Sequence, residues 1–97
     1  MAKYHFSNKA VEDLAAIWNH TFEKWSERQA DKYYNFLLES CRDVAAHPDF
    51  GKPYDQISGG LLGYKAGEHI LFYTVIAKNE IEVVRILHGM MDLKNRL

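Results

Sequence analysis

A chain of 97 residues with 47% hydrophobic and 26% charged residues has the make-up of an ordinary globular protein, with room for one core and not for two. Its formal net charge of -1 at pH 7 argues against broad phosphate neutralisation, so no sequence-specific nucleic-acid binding is expected. The longest apolar run, Ile70 to Ala77, is broken by Thr74 and falls far below the ~20 residues of a membrane-spanning helix. No secretory-type apolar stretch opens the chain, and the lone Cys41 cannot close an internal disulfide; both features point to the cytoplasm.

Residues 3 to 6 alternate polar with aromatic side chains and read as a short strand, which Ser7 converts into a helix start. From Val11, apolar residues recur at 11, 14, 18, 22 and 25 while Glu12, Asp13, Asn19, Glu23 and Lys24 take the other side. That period predicts an amphipathic helix over about residues 8 to 25, with Trp18, Phe22 and Trp25 in the core and Glu12-Asp13 solvated. Ser26 followed by Gln29 marks a second start, and Ala30, Tyr33, Tyr34, Leu37, Leu38, Cys41, Val44 and Ala45 trace a second stripe until His47-Pro48 stops it. Two helices with almost no linker form an antiparallel hairpin. Pro48 to Gly63 holds both prolines and four glycines and reads as an ordered loop, pinned by Phe50, Tyr54, Ile57, Leu61 and Leu62. Three strands follow, at 61–66, 68–77 and 80–88, turning at Ala66-Gly67 and Lys78-Asn79 as an antiparallel meander. Gly89 breaks the pattern, leaving Met90 to Leu97 for a helical turn or a tail.

The fold class expected is α+β: strand, helix, helix and three strands, with the helical hairpin on one face of a small antiparallel sheet. Two helices cover only one face. Yet Ile70 to Ile76 and Ile81 to His88 are apolar on both alternating sets, so the second face needs the loop, the tail or a partner protein as cover.

Chemistry is sparse. The five histidines, His5, His20, His47, His69 and His88, show no paired metal-ligand spacing, no second Cys exists, and no Gly-rich phosphate loop opens a helix; no metal, cofactor or catalytic group is assigned. Cys41 reads as a small buried hydrophobe. Arg85 shares an alternation set with Ile81, Val83 and Leu87, and a half-buried arginine needs a carboxylate or an anion; Asp92 is the expected structural partner, with His88 as a neutral hydrogen-bonding group.

Asp13-Leu14, Ile17-Trp18, Thr21, Trp25, Gln29-Ala30, Tyr33, Ala45, His47-Pro48 and Gly51 resemble, in order and spacing, the helical hairpin of the ParE branch of the RelE/ParE toxin superfamily. Gly67, His69, Phe72-Tyr73, Ile81-Glu82, Val84 to His88 and Met91-Asp92 extend the resemblance over residues 7 to 97. It implies the β-α-α-β-β-β fold and a type II toxin, held by a ParD-like antitoxin in a hetero-oligomer. Toxins of this branch poison DNA gyrase, whereas those of the RelE branch cut messenger RNA on the ribosome. Metal-free RNA cleavage needs cationic and acid/base groups around the scissile phosphate. Leu62 stands where many relatives carry an arginine, and Gly89-Met90-Met91 where a basic residue is often found. The first implied function is therefore an inhibitory binding protein, with target contacts at Arg85, His88, Met90, Met91 and Asp92 and with His69 and Tyr73 adjacent. Antitoxin contacts fall on Trp18, Phe22, Trp25, Ile70 and Phe72. The alternatives are a ribonuclease, with His69 or His88 as acid or base and Arg85 with Lys65 on the phosphate, and a homologue that binds antitoxin without toxicity.

Overall fold

A computed structural model describes residues 2–89. The elements in chain order are β1 (Lys3–Phe6), α1 (Asn8–Lys24), α2 (Glu27–Ala46), a 3-10 turn (Pro48–Phe50), β2 (Lys52–Pro53), β3 (Leu62–Ala66), β4 (His69–Ala77) and β5 (Glu80–His88). The expected hairpin, loop and three long strands are all present. Met90 to Leu97, for which a helical turn or tail was expected, lie outside the described residues.

Local chemistry sets the ends of the helices. Ser7 accepts a hydrogen bond from the Ala10 N–H at 3.0 Å, capping α1, and its own hydroxyl donates to the Val84 carbonyl at 2.7 Å, so one side chain fixes both the helix start and its seat on β5. Ser26 accepts from the Gln29 N–H at 3.1 Å and does the same for α2. At the far end of α2, His47 is pushed off helical geometry ahead of Pro48.

The sheet departs from a pure meander. Its order is β1-β5-β4-β3-β2, and β1 runs parallel to β5, pairing Lys3 with Glu80 through Phe6 with Val83. A parallel partner for β1 follows from the helical hairpin acting as a crossover between the first strand and the rest of the sheet. The stretch read as loop contributes a short fifth strand, with Lys52 opposite Gly63 and Pro53 opposite Leu62.

A β-bulge corrects the alternation of β5. Opposite Phe72 and Tyr73 the register shifts, with Phe72 facing Arg85 and Tyr73 facing Val83. One extra residue reverses the faces beyond it, so Ile81, Val83 and Ile86 point to the helices while Val84 and Leu87 point away. Leu87, expected on the Ile81/Val83 side, therefore lies on the opposite face.

Both faces are covered. Against the helices pack Ala10, Leu14, Leu37, Cys41, Val44 and Ala45 with Leu71, Tyr73, Ile81, Val83 and Ile86. On the other side Leu61, Phe72 and Leu87 form a smaller cluster, roofed by Tyr54 and Ile57 from the loop. Tyr54 meets Phe72 edge-on, with ring centroids 5.1 Å apart. Among the described residues, the cover of the second face is thus the chain's own loop.

Helix α1 carries two apolar stripes. The buried one is Ala10, Leu14 and Ile17, at helical spacing. The one expected to be core faces water instead: Val11 is 53%, Phe22 48% and Trp25 69% exposed. With the inward stripe at 10, 14 and 17, Asp13 falls on the inner side as well, which the expectation of a solvated carboxylate missed.

Candidate functional site

Asp13 and Arg85 make the first centre. Arg85 Nε donates to Asp13 Oδ2 at 2.8 Å, its terminal nitrogen donates to Oδ1 at 3.0 Å, and the Ile86 N–H adds a third bond to Oδ2 at 3.0 Å. This fork-to-fork pairing is the strong form of a carboxylate–guanidinium contact. The carboxylate raises the Arg85 pKa further above its ordinary value. Arg85 lies at the bulge, opposite Phe72. The expected partner, Asp92, lies outside the described residues; Asp13 is the partner observed. A signal existed in the sequence, since Asp13 stands three residues after Ala10 and four before Ile17.

Tyr33 of α2 makes the second. Its hydroxyl accepts from the Glu68 N–H at 3.1 Å and lies 2.7 Å from His69 Nδ1, with the Ala66 carbonyl farther off at 3.5 Å. The hydroxyl and Nδ1 thus share one hydrogen bond, whose direction follows the His69 tautomer. Gly67 makes this approach possible. It adopts φ +61° in the β3–β4 turn, and a Cβ there would stand 2.8 Å from the Tyr33 oxygen. His88 faces His69 across the β4–β5 ladder, with ring centroids 5.5 Å apart. Burial, then His88 and His20, lowers the His69 pKa below its ordinary value, against an opposing pull from Glu68 and Asp13.

These groups open onto a groove of about 720 Å³ between the C-terminal half of α1, the start of α2 and the β3–β4 turn. His20, Lys24 and Trp25 line one side; Tyr33, His69 and His88 line the other. Among the described residues no group of three or more His, Cys, Asp or Glu is placed to hold a metal ion. A shallower groove runs beside the outward stripe of α1, between Phe6, Val11, Trp18 and Tyr34. There Trp18 stacks on Phe22 at 5.3 Å and donates from its indole nitrogen to Asp31 at 2.9 Å.

Of the residues expected to contact a target, the structure brings His69 and His88 together and ties Arg85 to α1. Tyr73 is corrected to a structural role: fully buried, it donates to the Pro48 carbonyl at 2.6 Å and accepts from the Gly51 N–H at 2.9 Å, fastening the turn after α2 to the sheet. Met90, Met91 and Asp92 lie outside the described residues. Of the residues expected to contact an antitoxin, Trp18, Phe22, Trp25 and Ile70 have accessible surface, whereas Phe72 is fully buried under the loop. Lys65, exposed on β3, is absent from the groove lining that holds both histidines. Cys41 is fully buried and its thiol is pushed up to about 12, which removes it as a nucleophile. His20, Lys24 and Tyr33 join the site without having been singled out for it.

Residues 4–93 match the family described as ParE toxin of type II toxin-antitoxin system, parDE. The chain belongs to the ParE toxin family. It is 36% identical over 96 residues to Toxin ParE1 of Mycobacterium tuberculosis, covering 99% of this chain and 98% of the relative. Toxin ParE1 of Caulobacter vibrioides is 31% identical over 97 residues, with 100% and 99% covered. The fold matches a solved chromosomal ParDE toxin-antitoxin system from P. aeruginosa, with a TM-score of 0.76 at 21% identity over 91% of this chain and 96% of that one. It also matches the toxin-antitoxin complex RelBE2 from Mycobacterium tuberculosis, with a TM-score of 0.63 at 20% identity over 90% and 96%. One strand, two helices and four further strands in a mixed five-stranded sheet is thus the fold of RelE/ParE relatives, and no helix among the described residues is long and apolar enough to cross a membrane.

Proposed function

We propose that this toxin acts in the cytoplasm as an inhibitory binding protein on DNA gyrase, without catalysis or cofactor, and that a ParD-like antitoxin neutralises it in a hetero-oligomer. The observation that carries the reading is the outward stripe of α1. A helix that leaves Val11, Phe22 and Trp25 largely in water beside a groove has a seam made for another chain. Trp18, Phe22, Trp25 and Ile70 are the proposed antitoxin contacts. The target surface is assigned to the end of β5, at His88 with His69 beside it, continuing through Met90, Met91 and Asp92, while Arg85 holds this strand in position through Asp13.

A second reading, a metal-independent ribonuclease, draws on the two facing imidazoles with Tyr33 behind them. It is weakened by Arg85, whose guanidinium is already engaged by Asp13 rather than poised for a phosphate. The deciding experiment incubates the purified chain with gyrase, ATP and relaxed plasmid, and follows supercoiling together with linear, gyrase-linked DNA. Inhibition that a ParD-type antitoxin reverses is expected. No inhibition at large excess, together with messenger cleavage in a translating extract that His69→Ala abolishes, would replace it with the ribonuclease. Loss of both activities with antitoxin binding intact would leave a homologue that only binds antitoxin.

A further inference from the structure

His69 and His88 are half-buried and stand directly opposite each other, at the start of β4 and the end of β5. Beside them the Gly89 N–H donates to the Glu68 carbonyl at 3.0 Å, so the ladder bond falls on the 68–89 pair. The histidine pair is then of the non-hydrogen-bonded kind, in which facing side chains come closest. We propose that these two imidazoles chelate a divalent transition-metal ion of the zinc type, each giving one ring nitrogen while solvent fills the remaining positions. Such a site is independent of the gyrase target.

Three observations carry it. First, the spacing fits: on one tetrahedral ion with Zn–N bonds of about 2.1 Å, two imidazole centroids stand about 5 Å apart. The observed centroids are 5.5 Å apart, a difference that small rotations of the side chains take up.

Second, Tyr33 supplies the outer support that a metal-bound imidazole needs. A histidine that gives Nε2 to a metal carries its proton on Nδ1 and hands it to a fixed acceptor, which sets the plane of the ring. The Tyr33 oxygen lies 2.7 Å from His69 Nδ1 and also accepts from the Glu68 N–H at 3.1 Å, with the Ala66 carbonyl 3.5 Å away to receive its own proton. In that tautomer both lone pairs of the hydroxyl are used, and the Nε2 lone pair of His69 is left for a ligand.

Third, the pair opens onto the groove, so an ion has a path in and solvent can complete its coordination. Among the described residues no third His, Cys, Asp or Glu is placed to close the shell, which gives an open site instead of a sealed structural one. Two nitrogen donors select zinc, copper or nickel over magnesium and calcium, which require oxygen. His5 is the competing imidazole, exposed and 2.7 Å from Glu80 on the far edge of the sheet, and His47 stacks on Phe50 after α2. A bound ion would tie the start of β4 to the end of β5 through side chains, where the backbone ladder ends at Gly89.

The test titrates the purified full chain with zinc chloride at about pH 7.5, where free imidazole is mostly neutral, and follows the imidazole nitrogens by NMR. One equivalent is expected to move Nε2 of His69 and one ring nitrogen of His88 together and saturably, leaving His5 and His47 unshifted. In calorimetry His88→Ala and His69→Gln should each remove that saturable event, whereas His5→Ala and His47→Ala should keep it. Tyr33→Phe, which leaves both imidazoles in place, should weaken binding about tenfold. Magnesium in large excess should not displace the zinc, and amide exchange at Gly89 should slow when zinc is bound.

Equal zinc affinity in His88→Ala and the unaltered chain would overturn the site, as would first shifts at His5 or His47 or displacement by magnesium. A response of His69 with His88 unmoved would refute the chelate as well. The NMR titration needs no substitution, so a variant that fails to fold does not shield the assignment from refutation.

Discussion

The two faces of one sheet are covered in different ways. Facing the helices, Leu71, Tyr73, Ile81, Val83 and Ile86 meet side chains delivered by two regular elements at 3.6-residue spacing. Facing the loop, Phe72 and Leu87 meet Leu61, Tyr54 and Ile57, delivered by a segment with no period. The first cover is rigid because each helix is capped and hydrogen-bonded along its length, whereas the second rests on a few bonds such as Tyr54 N–H to the Leu61 carbonyl at 2.8 Å. A removed side chain should leave a persistent void on the first face and a partly collapsed one on the second.

Truncation on each face breaks the comparison most directly. Leu37→Ala, at a position with no exposure on α2, should cost about 4 kcal/mol, and Leu61→Ala on the loop side about 2 kcal/mol, in urea denaturation. Equal losses would mean that the loop is as unyielding as the helices. Between these values falls Asp13→Ala, at about 3 kcal/mol, since it removes two hydrogen bonds from the Arg85 guanidinium and one from the Ile86 N–H together. Asp13→Ala with Arg85→Met should recover part of that loss in a double-mutant cycle.

Tyr73→Phe is a finer probe, because it removes one hydroxyl that joins the helix-side core to the Pro48–Gly51 turn. A cost of about 1.5 kcal/mol is expected, with faster amide exchange at Gly51 and little change at Leu37. The smallest effect is that of pH. His69 has a lowered pKa in the folded chain, so between its ordinary 6.5 and that lower value the unfolded chain binds a proton that the folded chain refuses. Stability therefore falls as pH drops through 6.5 and levels off below the folded pKa, and His69→Asn should flatten that part of a melting-temperature profile.

The same contrast explains what the sequence disclosed. Ser7, Ser26 and His47-Pro48 act through their immediate neighbours, so helix boundaries were legible within a residue or two. The stripe of α2 has one apolar side and was read correctly. That of α1 has two, and the larger aromatic residues drew attention to the side that faces water. Composition does not say which of two apolar stripes the fold will bury. The bulge at Val84-Arg85 was hidden for a similar reason: an apolar strand without a polar face gives no sign of where its alternation slips. Consequently Leu87 was placed on the wrong face, and the bond from Arg85 to Asp13, 72 residues away, was not foreseen. The site was legible as a set of residues, with His69 and His88 named in advance. Tyr33 and His20 reach it from helices, through an arrangement that only the folded sheet specifies.

The pairing of β1 with β5 bears on how the protein is made. Lys3 of β1 has Glu80 as its neighbour, so β1 leaves the ribosome well before the strand it pairs with has been made. At about 5–20 residues per second, synthesis of the intervening chain takes several seconds. Throughout that interval the strand carrying His88 is incomplete.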